Sequence, residues 1–145
     1  MNDAVCRNEV DPSWLVLLAE LGRRATADNL DAVTAGLGPV TLRMPDDIHV
    51  SSTCPGITAI AVHRRTATPT VLVSLSIDPD HAVDRAALGE SLHAGQPLSS
   101  AVDQIGERPY SYRPPPSWGL PDGSQVIATF DGRDHLLVLA IEVVV

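Results

Sequence analysis

The chain has 145 residues, of which 44% are hydrophobic and 19% charged. This composition is typical of one globular domain and not of a disordered chain. The net charge is −8 and all ten basic residues are arginines, so no basic stripe is available to follow a phosphate backbone and nucleic-acid binding is not expected. No apolar stretch reaches the roughly 18 residues that a membrane span needs, so no membrane partner is expected either.

The N-terminus and the two cysteines indicate a cytoplasmic protein. The first residues lack the charged start and apolar centre of a secretory signal, and residues 1–10 are expected to be a flexible N-terminus of a single domain that spans 1–145. Cys6 and Cys54 form no recognisable disulfide framework, so reduced thiols are expected. Nothing near Cys54 in the sequence lowers its pKa, which favours an inert thiol over a reactive one.

The first predicted element is a helix that opens at Asp11-Pro12, where an N-cap acceptor precedes a first-turn proline. A second short helix is predicted over 26–35, with Gly36 as its C-terminal cap. Apolar residues at helical spacing predict one buried stripe on the first helix: Trp14, Leu15, Leu17, Leu18 and Leu21.

The rest of the chain reads mainly as hairpins. An extended pattern over 39–50 predicts one strand or two, residues 57–77 predict a hairpin, and Asp131-Gly132 predicts the turn of a final hairpin. Two helices are expected at 78–95 and 98–105, and a loop or proline-interrupted edge strand at 107–123. This order predicts an α+β domain, an antiparallel sheet of about six strands covered by helices on one face.

One carboxylate, Glu142, interrupts the apolar run of the last predicted strand. Strand alternation predicts that it shares a face with apolar side chains: Leu136, Val138, Ala140 and Val144. A row of small and medium apolar residues with one polar group commonly lines a ligand pocket. We therefore expect Glu142 to point into a hollow between the sheet and its covering helices; the alternative is an exposed glutamate at the end of a strand.

Familiar catalytic and metal-binding motifs do not occur in the sequence. GxGxxG, the phosphate loop, CxxC and HExxH are missing and the five histidines are scattered, so no cofactor and no metal site are expected. The aspartates near positions 46–47 and 78–84 coincide with turn and helix-start signals, which explain them without a bound cation.

Aromatic and arginine side chains concentrate in one segment, residues 108–119. Aromatic rings stack on planar ligands and arginine binds carboxylates in a bidentate manner, so the segment is a candidate ligand-binding lid. The candidate binding residues are Tyr110, Tyr112, Arg113 and Trp118. The alternatives are a proline-stiffened strand whose rings pack on the sheet, or a surface for another subunit.

The order of elements resembles the chorismate lyase family and its fold relative, the UTRA ligand-binding domain of bacterial transcription regulators. The resemblance rests on short features along the chain: a Trp-Leu-rich first helix before Gly38-Pro39, the Thr68-Pro69 turn, Gly95-Gln96-Pro97-Leu98, and Ala140-Ile141-Glu142-Val143-Val144. It implies a six-stranded antiparallel sheet with helices on one side, and a cofactor-free enzyme that removes pyruvate from chorismate.

The resemblance also implies site residues. An acidic residue near the end of the final strand takes part in catalysis in the lyases, and Glu142 occupies the matching place. Arginines hold the substrate carboxylates in the lyases, but the matching positions, near Thr58 or Ala59 and near Ser74, are not basic in this chain. Basic residues that could replace them lie closer to the hairpin turn or elsewhere in the chain: His63, Arg64 and Arg65 near the turn, and Arg43 or Arg113 from other segments.

Three functions are therefore considered. The leading one is a lyase-like enzyme acting on a small cyclic or aromatic carboxylate, with Glu142 as acid or base and Arg65 and the candidate binding residues of 108–119 holding the ligand. The second is a non-catalytic small-molecule-binding module of the UTRA kind. The third is an oligomeric interaction protein in which Val143-Val144-Val145 adds a strand to another subunit.

Overall fold

The structure is a computed structural model that describes residues 12–25, 30–54, 56–65, 69–78, 92, 96–97, 108–133 and 135–145. The expected flexible N-terminus lies outside these residues, as do the two helices expected at 78–95 and 98–105, apart from Asp78 and Leu92. The described part contains two helices and one antiparallel sheet. The α+β class is thus confirmed.

The two described helices follow the sequence prediction closely. Helix α1, Pro12–Arg24, buries all five residues of the predicted apolar stripe, and helix α2, Leu30–Thr34, buries Leu30 and Val33. Glu20 accepts hydrogen bonds from Arg23 at 3.1 Å and Arg24 at 3.2 Å. Burial raises the pKa of Glu20, but these hydrogen bonds and charges outweigh it and lower the pKa.

The sheet has seven strands of five to nine residues and one strand of two. The strands are β1 Val40–Met44, β2 Asp47–Ser51, β3 Ile57–Arg65, β4 Thr70–Ile77, β5 Gln96–Pro97, β6 Arg108–Tyr112, β7 Gln125–Phe130 and β8 Leu136–Val144. Their order across the sheet is β1-β2-β3-β4-β8-β7-β6-β5, and every neighbouring pair is antiparallel. Both predicted hairpins are present.

The two described helices pack on one face of the sheet, which we call the covered face. Helix α1 contacts β4 and β8, and α2 contacts β2 and β3. A methyl group added at Gly22 of α1 would lie 3.1 Å from the Ile141 side chain, so Ile141 points towards the helix. One row of cross-strand neighbours on this face is buried throughout: Ile48, Val62, Val73, Ile141, Val126 and Tyr112. The opposite side, on which neither of the two described helices packs, is called the open face.

The start of β8 departs from the predicted alternation. Phe130 pairs with Leu136, whereas Thr129 pairs with Val138, so Leu137 is an extra residue in a β-bulge. A bulge reverses the facing of the residues on either side of it. Leu136 therefore lies buried on the covered face, and the predicted alternation holds only from Val138 onwards.

The end of β8 does not form a sheet edge. The strand pairs with β4 on one side and β7 on the other, and the Val145 N–H donates to the Pro69 carbonyl at 2.9 Å. The expectation that Val143-Val144-Val145 adds a strand to another subunit is therefore wrong, because their backbone groups already belong to the interior of the sheet. The edges of the described sheet are β1 and β5.

Candidate functional site

Glu142 lies on the open face, within a polar chain that crosses the sheet. Arg65 Nη1 donates to Glu142 Oε2 at 2.9 Å, and Gln125 Nε2 donates to Glu142 Oε1 at 3.0 Å. Ser111 Oγ donates in turn to Gln125 Oε1 at 2.5 Å. The hydrogen bonds join side chains of β3, β8, β7 and β6 in the order Arg65–Glu142–Gln125–Ser111. They occupy both carboxylate oxygens of Glu142.

Glu142 lies on the side of the sheet opposite to the two described helices. Ile141 faces α1, so its neighbour Glu142 points to the other side of the sheet. It therefore does not point towards α1 or α2. The helices expected at 78–95 and 98–105 lie outside the described residues apart from Asp78 and Leu92, so the expected hollow beside Glu142 stays a prediction. The Glu142 side chain is only 15% exposed and its partner Arg65 is 47% exposed, so the carboxylate is largely removed from solvent while its partner reaches the surface. Such a group stabilises cross-strand contacts.

The two tyrosines of the candidate lid lie on the covered face, with Ser111 between them on the open face. Tyr112 is buried in the hydrophobic core. Tyr110 packs against the core and meets the Phe130 ring edge-on, with 5.7 Å between ring centroids and 76° between planes. This is the arrangement of the alternative interpretation, a strand whose rings pack on the sheet.

Arg113 and Trp118 belong to the loop between β6 and β7, which includes a 3-10 turn over Pro116–Trp118. Arg113 is exposed and, with four prolines of this loop, lines a cavity of about 520 Å³. Trp118 packs against the core, and its carbonyl accepts a hydrogen bond from Arg23 at 3.4 Å. The structure thus brings Glu142 and Arg65 together but separates them from the two tyrosines, which lie on the other face.

A second cavity, of about 460 Å³, was not indicated by the sequence because its lining comes from separate elements. It lies between α2 and the β1–β2 turn and is lined by Leu30, Asp31, Arg43, Met44, Pro45, Asp47, Ile48 and Arg64. Arg43 forms an ion pair with Asp31, and His63 Nδ1 lies 2.7 Å from the Asp47 carboxylate. The Arg43 guanidinium is thus paired with a carboxylate at the wall of this cavity.

The most unusual surface of the described residues is the edge strand β1. All five of its residues are exposed. Five large hydrophobic side chains are exposed in the described part of the chain, and three of them, Val40, Leu42 and Met44, belong to β1. The sequence predicted a strand at this position but could not indicate that it would lie at the sheet edge.

Cys54 lies in the turn between β2 and β3 and is disulfide-bonded. It is 4% exposed and belongs to the hydrophobic core. The expectation of a reduced thiol at this position is therefore wrong.

The described residues contain no group of three or more His, Cys, Asp or Glu side chains that could hold a metal ion. None of their helices combines the length and the apolar character needed to cross a membrane.

The chain matches no protein-family model, no curated protein and no solved structure. The case for a function therefore rests on the geometry of the chain itself.

Proposed function

We propose that the protein is a non-catalytic assembly protein whose strand β1 pairs edge to edge with β1 of a second copy. The observation that carries the proposal is the exposure of β1 along its whole length at the edge of the sheet. Edge strands of soluble proteins are usually protected by lysine, proline, bulges or a covering element, since their unpaired backbone groups attract other strands. Val40–Met44 contains no lysine and no proline, and has one irregularity, near Thr41.

The side chains of β1 suit a second copy of the same strand. On the open face Leu42 and Met44 lie beside His49 and Asp47 of β2. A two-fold axis near β1 would bring Leu42 and Met44 of both copies into one apolar patch, because such an interface uses the same surface twice. The single cation of the strand, Arg43, is already paired with Asp31, so it does not oppose the approach of a second Arg43.

The net charge of the chain predicts how salt should change its self-association. Two copies with a net charge of −8 repel each other at long range, and added salt screens that repulsion. Self-association through an apolar, charge-compensated edge should therefore become tighter as salt is added. Binding of a basic partner to the same surface would become weaker.

The proposal is tested by sedimentation velocity over a concentration series. An edge of five residues makes a small interface, so dissociation constants on the order of 10 µM are expected. Leu42→Glu places a charge in the contact and should leave a monomer at every concentration. Val16→Glu is the matched control, because Val16 is an apolar residue of similar exposure on α1, away from β1. A monomeric wild-type chain at about 300 µM, or equal loss of the dimer in both variants, would refute the proposal.

Small-molecule binding is a second candidate, favoured by the cavity beside Arg113. Its volume of about 520 Å³ lies in the range of ligand pockets, and an arginine at its wall can bind a carboxylate. Titration with 4-hydroxybenzoate, followed by calorimetry, tests this candidate. Saturable binding that is lost in Arg113→Gln would support it, and heats no larger than those of dilution would oppose it.

The chorismate lyase-like fold and a lyase-like activity remain predictions. They are supported by the resemblance of short motifs and by the closeness of Arg65 to Glu142 at 2.9 Å. They are weakened because both Glu142 oxygens already accept hydrogen bonds, whereas an acid or base must reach its substrate directly or through one water. Turnover of chorismate that disappears in Glu142→Gln would support the enzyme; equal turnover in both proteins would remove Glu142 from the mechanism.

A further inference from the structure

The disulfide at Cys54 is the described feature that the proposed function leaves unexplained. Cys54 lies in the β2–β3 turn, where its N–H donates to Ser52 Oγ at 2.9 Å and its carbonyl accepts from the Ile57 N–H at 3.2 Å. Ser52 in turn donates its N–H to the Thr58 carbonyl at 3.1 Å. The backbone on both sides of the sulfur is therefore fixed to the sheet.

The chain has only one other cysteine, Cys6. We infer that the functional protein carries an intramolecular Cys6–Cys54 disulfide and matures in an oxidising compartment. The bond ties the segment that precedes α1 to the turn between β2 and β3. Its formation converts two thiols into one disulfide and releases two protons and two electrons, which pass by thiol–disulfide exchange to a disulfide oxidant of that compartment.

The burial of Cys54 indicates a structural disulfide and not a reactive or regulatory one. A thiolate must reach the sulfur to break a disulfide, so the labile bonds are those that are strained or exposed to solvent. Cys54 is 4% exposed and surrounded by core residues. Stable disulfides of this kind are found in secreted and periplasmic proteins and are rare in reducing compartments.

The inference is tested on the full chain by alkylation without reductant under denaturing conditions, followed by mass spectrometry. Oxidised protein should take up no label, gain two labels after reduction, and yield one proteolytic product that links the Cys6 and Cys54 peptides. Two labels without reduction, in protein harvested from an oxidising compartment with its thiols blocked at lysis, would overturn it. Cys54 linked to a cysteine of a second chain, seen as a covalent dimer on a non-reducing gel, would also overturn it.

A structural role adds a second readout. The disulfide closes a loop that runs from residue 6 to residue 54 and so restricts the unfolded chain. Reduction should therefore lower the wild-type Tm by roughly 10 °C. Cys6→Ser should show the lower Tm already, and reductant should not change it further. A reductant effect of equal size in Cys6→Ser would mean that Cys54 has another partner. The proposed β1 contact is non-covalent, so Leu42→Glu should abolish the dimer and leave the label counts unchanged.

Discussion

Gly38, at the entrance to β1, should tolerate no side chain. Its φ angle is +148°, and a methyl group added there would lie 1.8 Å from the Ser51 carbonyl oxygen, a backbone atom of the neighbouring strand. The adjoining residues are fixed as well, since Pro39 accepts a hydrogen bond from the Ser51 N–H at 3.0 Å. Gly38→Ala must therefore rotate its own backbone and separate β1 from β2.

The magnitude follows from two contributions. An unfavourable φ angle costs about 1 to 3 kcal/mol, and displacement of packed backbone adds a similar amount. We expect Gly38→Ala to lower the free energy of unfolding by about 3 kcal/mol or more, and the Tm by roughly 9 °C in a chain of this size.

Two other glycines provide matched controls in urea unfolding. Gly119 has a φ angle of +67° but open space around it, so Gly119→Ala measures the backbone conformation alone and should cost about 1 kcal/mol. Gly132 has neither a positive φ angle nor a close neighbour, so its replacement by alanine should change stability by less than about 0.5 kcal/mol. Equal losses for Gly38→Ala and Gly119→Ala would refute the reasoning from close approach.

Three further variants test other parts of the structure. Phe130→Ala removes a fully buried ring and should cost about 3 to 5 kcal/mol in urea unfolding; a loss below about 1 kcal/mol would contradict the described core. The backbone N–H groups of His135 and Arg133 donate to Asp131 and lower its pKa. The ionised side chain therefore stabilises the hairpin at pH values above the ordinary carboxyl pKa. This stabilisation is lost as the pH falls through the lowered pKa of Asp131. Asp131→Asn should thus have a lower Tm than wild type at pH 6, and the difference should shrink as the pH is lowered below the ordinary carboxyl pKa; a difference that stays constant into acid would exclude ionisation as the cause. Glu142→Gln loses the Arg65 ion pair but can still accept a hydrogen bond from Gln125. Because Arg65 is half exposed, the variant should lower the free energy of unfolding by about 1 kcal/mol or less. A loss above about 3 kcal/mol would contradict the assignment of this pair as a solvent-screened one.

The sequence predicted those elements whose patterns are local. The α1 stripe from Trp14 to Leu21 and the strands around Asp131-Gly132 follow from spacing and turn chemistry within a few residues. The bulge at Leu137 was missed, because a single extra residue changes the register only through pairing with β7.

The site was harder to predict than the fold because it depends on residues far apart in the chain. Alternation correctly placed Glu142 on one face with Ala140 and Val144, but it gives no information about which face the helices cover. The Arg65–Glu142 contact joins residues 77 positions apart. Tyr110 and Tyr112 alternate with Ser111, but the composition of the segment left open whether it forms a lid or a strand whose rings pack on the sheet.

The central position of β8 has a consequence for biosynthesis. This strand joins the β1–β4 half of the sheet to the β7–β5 half, and it is made after both. A newly made chain in which residues 136–144 have not yet entered the sheet has two unsatisfied interior edges, β4 and β7. Insertion of β8 between them should therefore be the folding step before which the chain is most prone to aggregate and most dependent on chaperones.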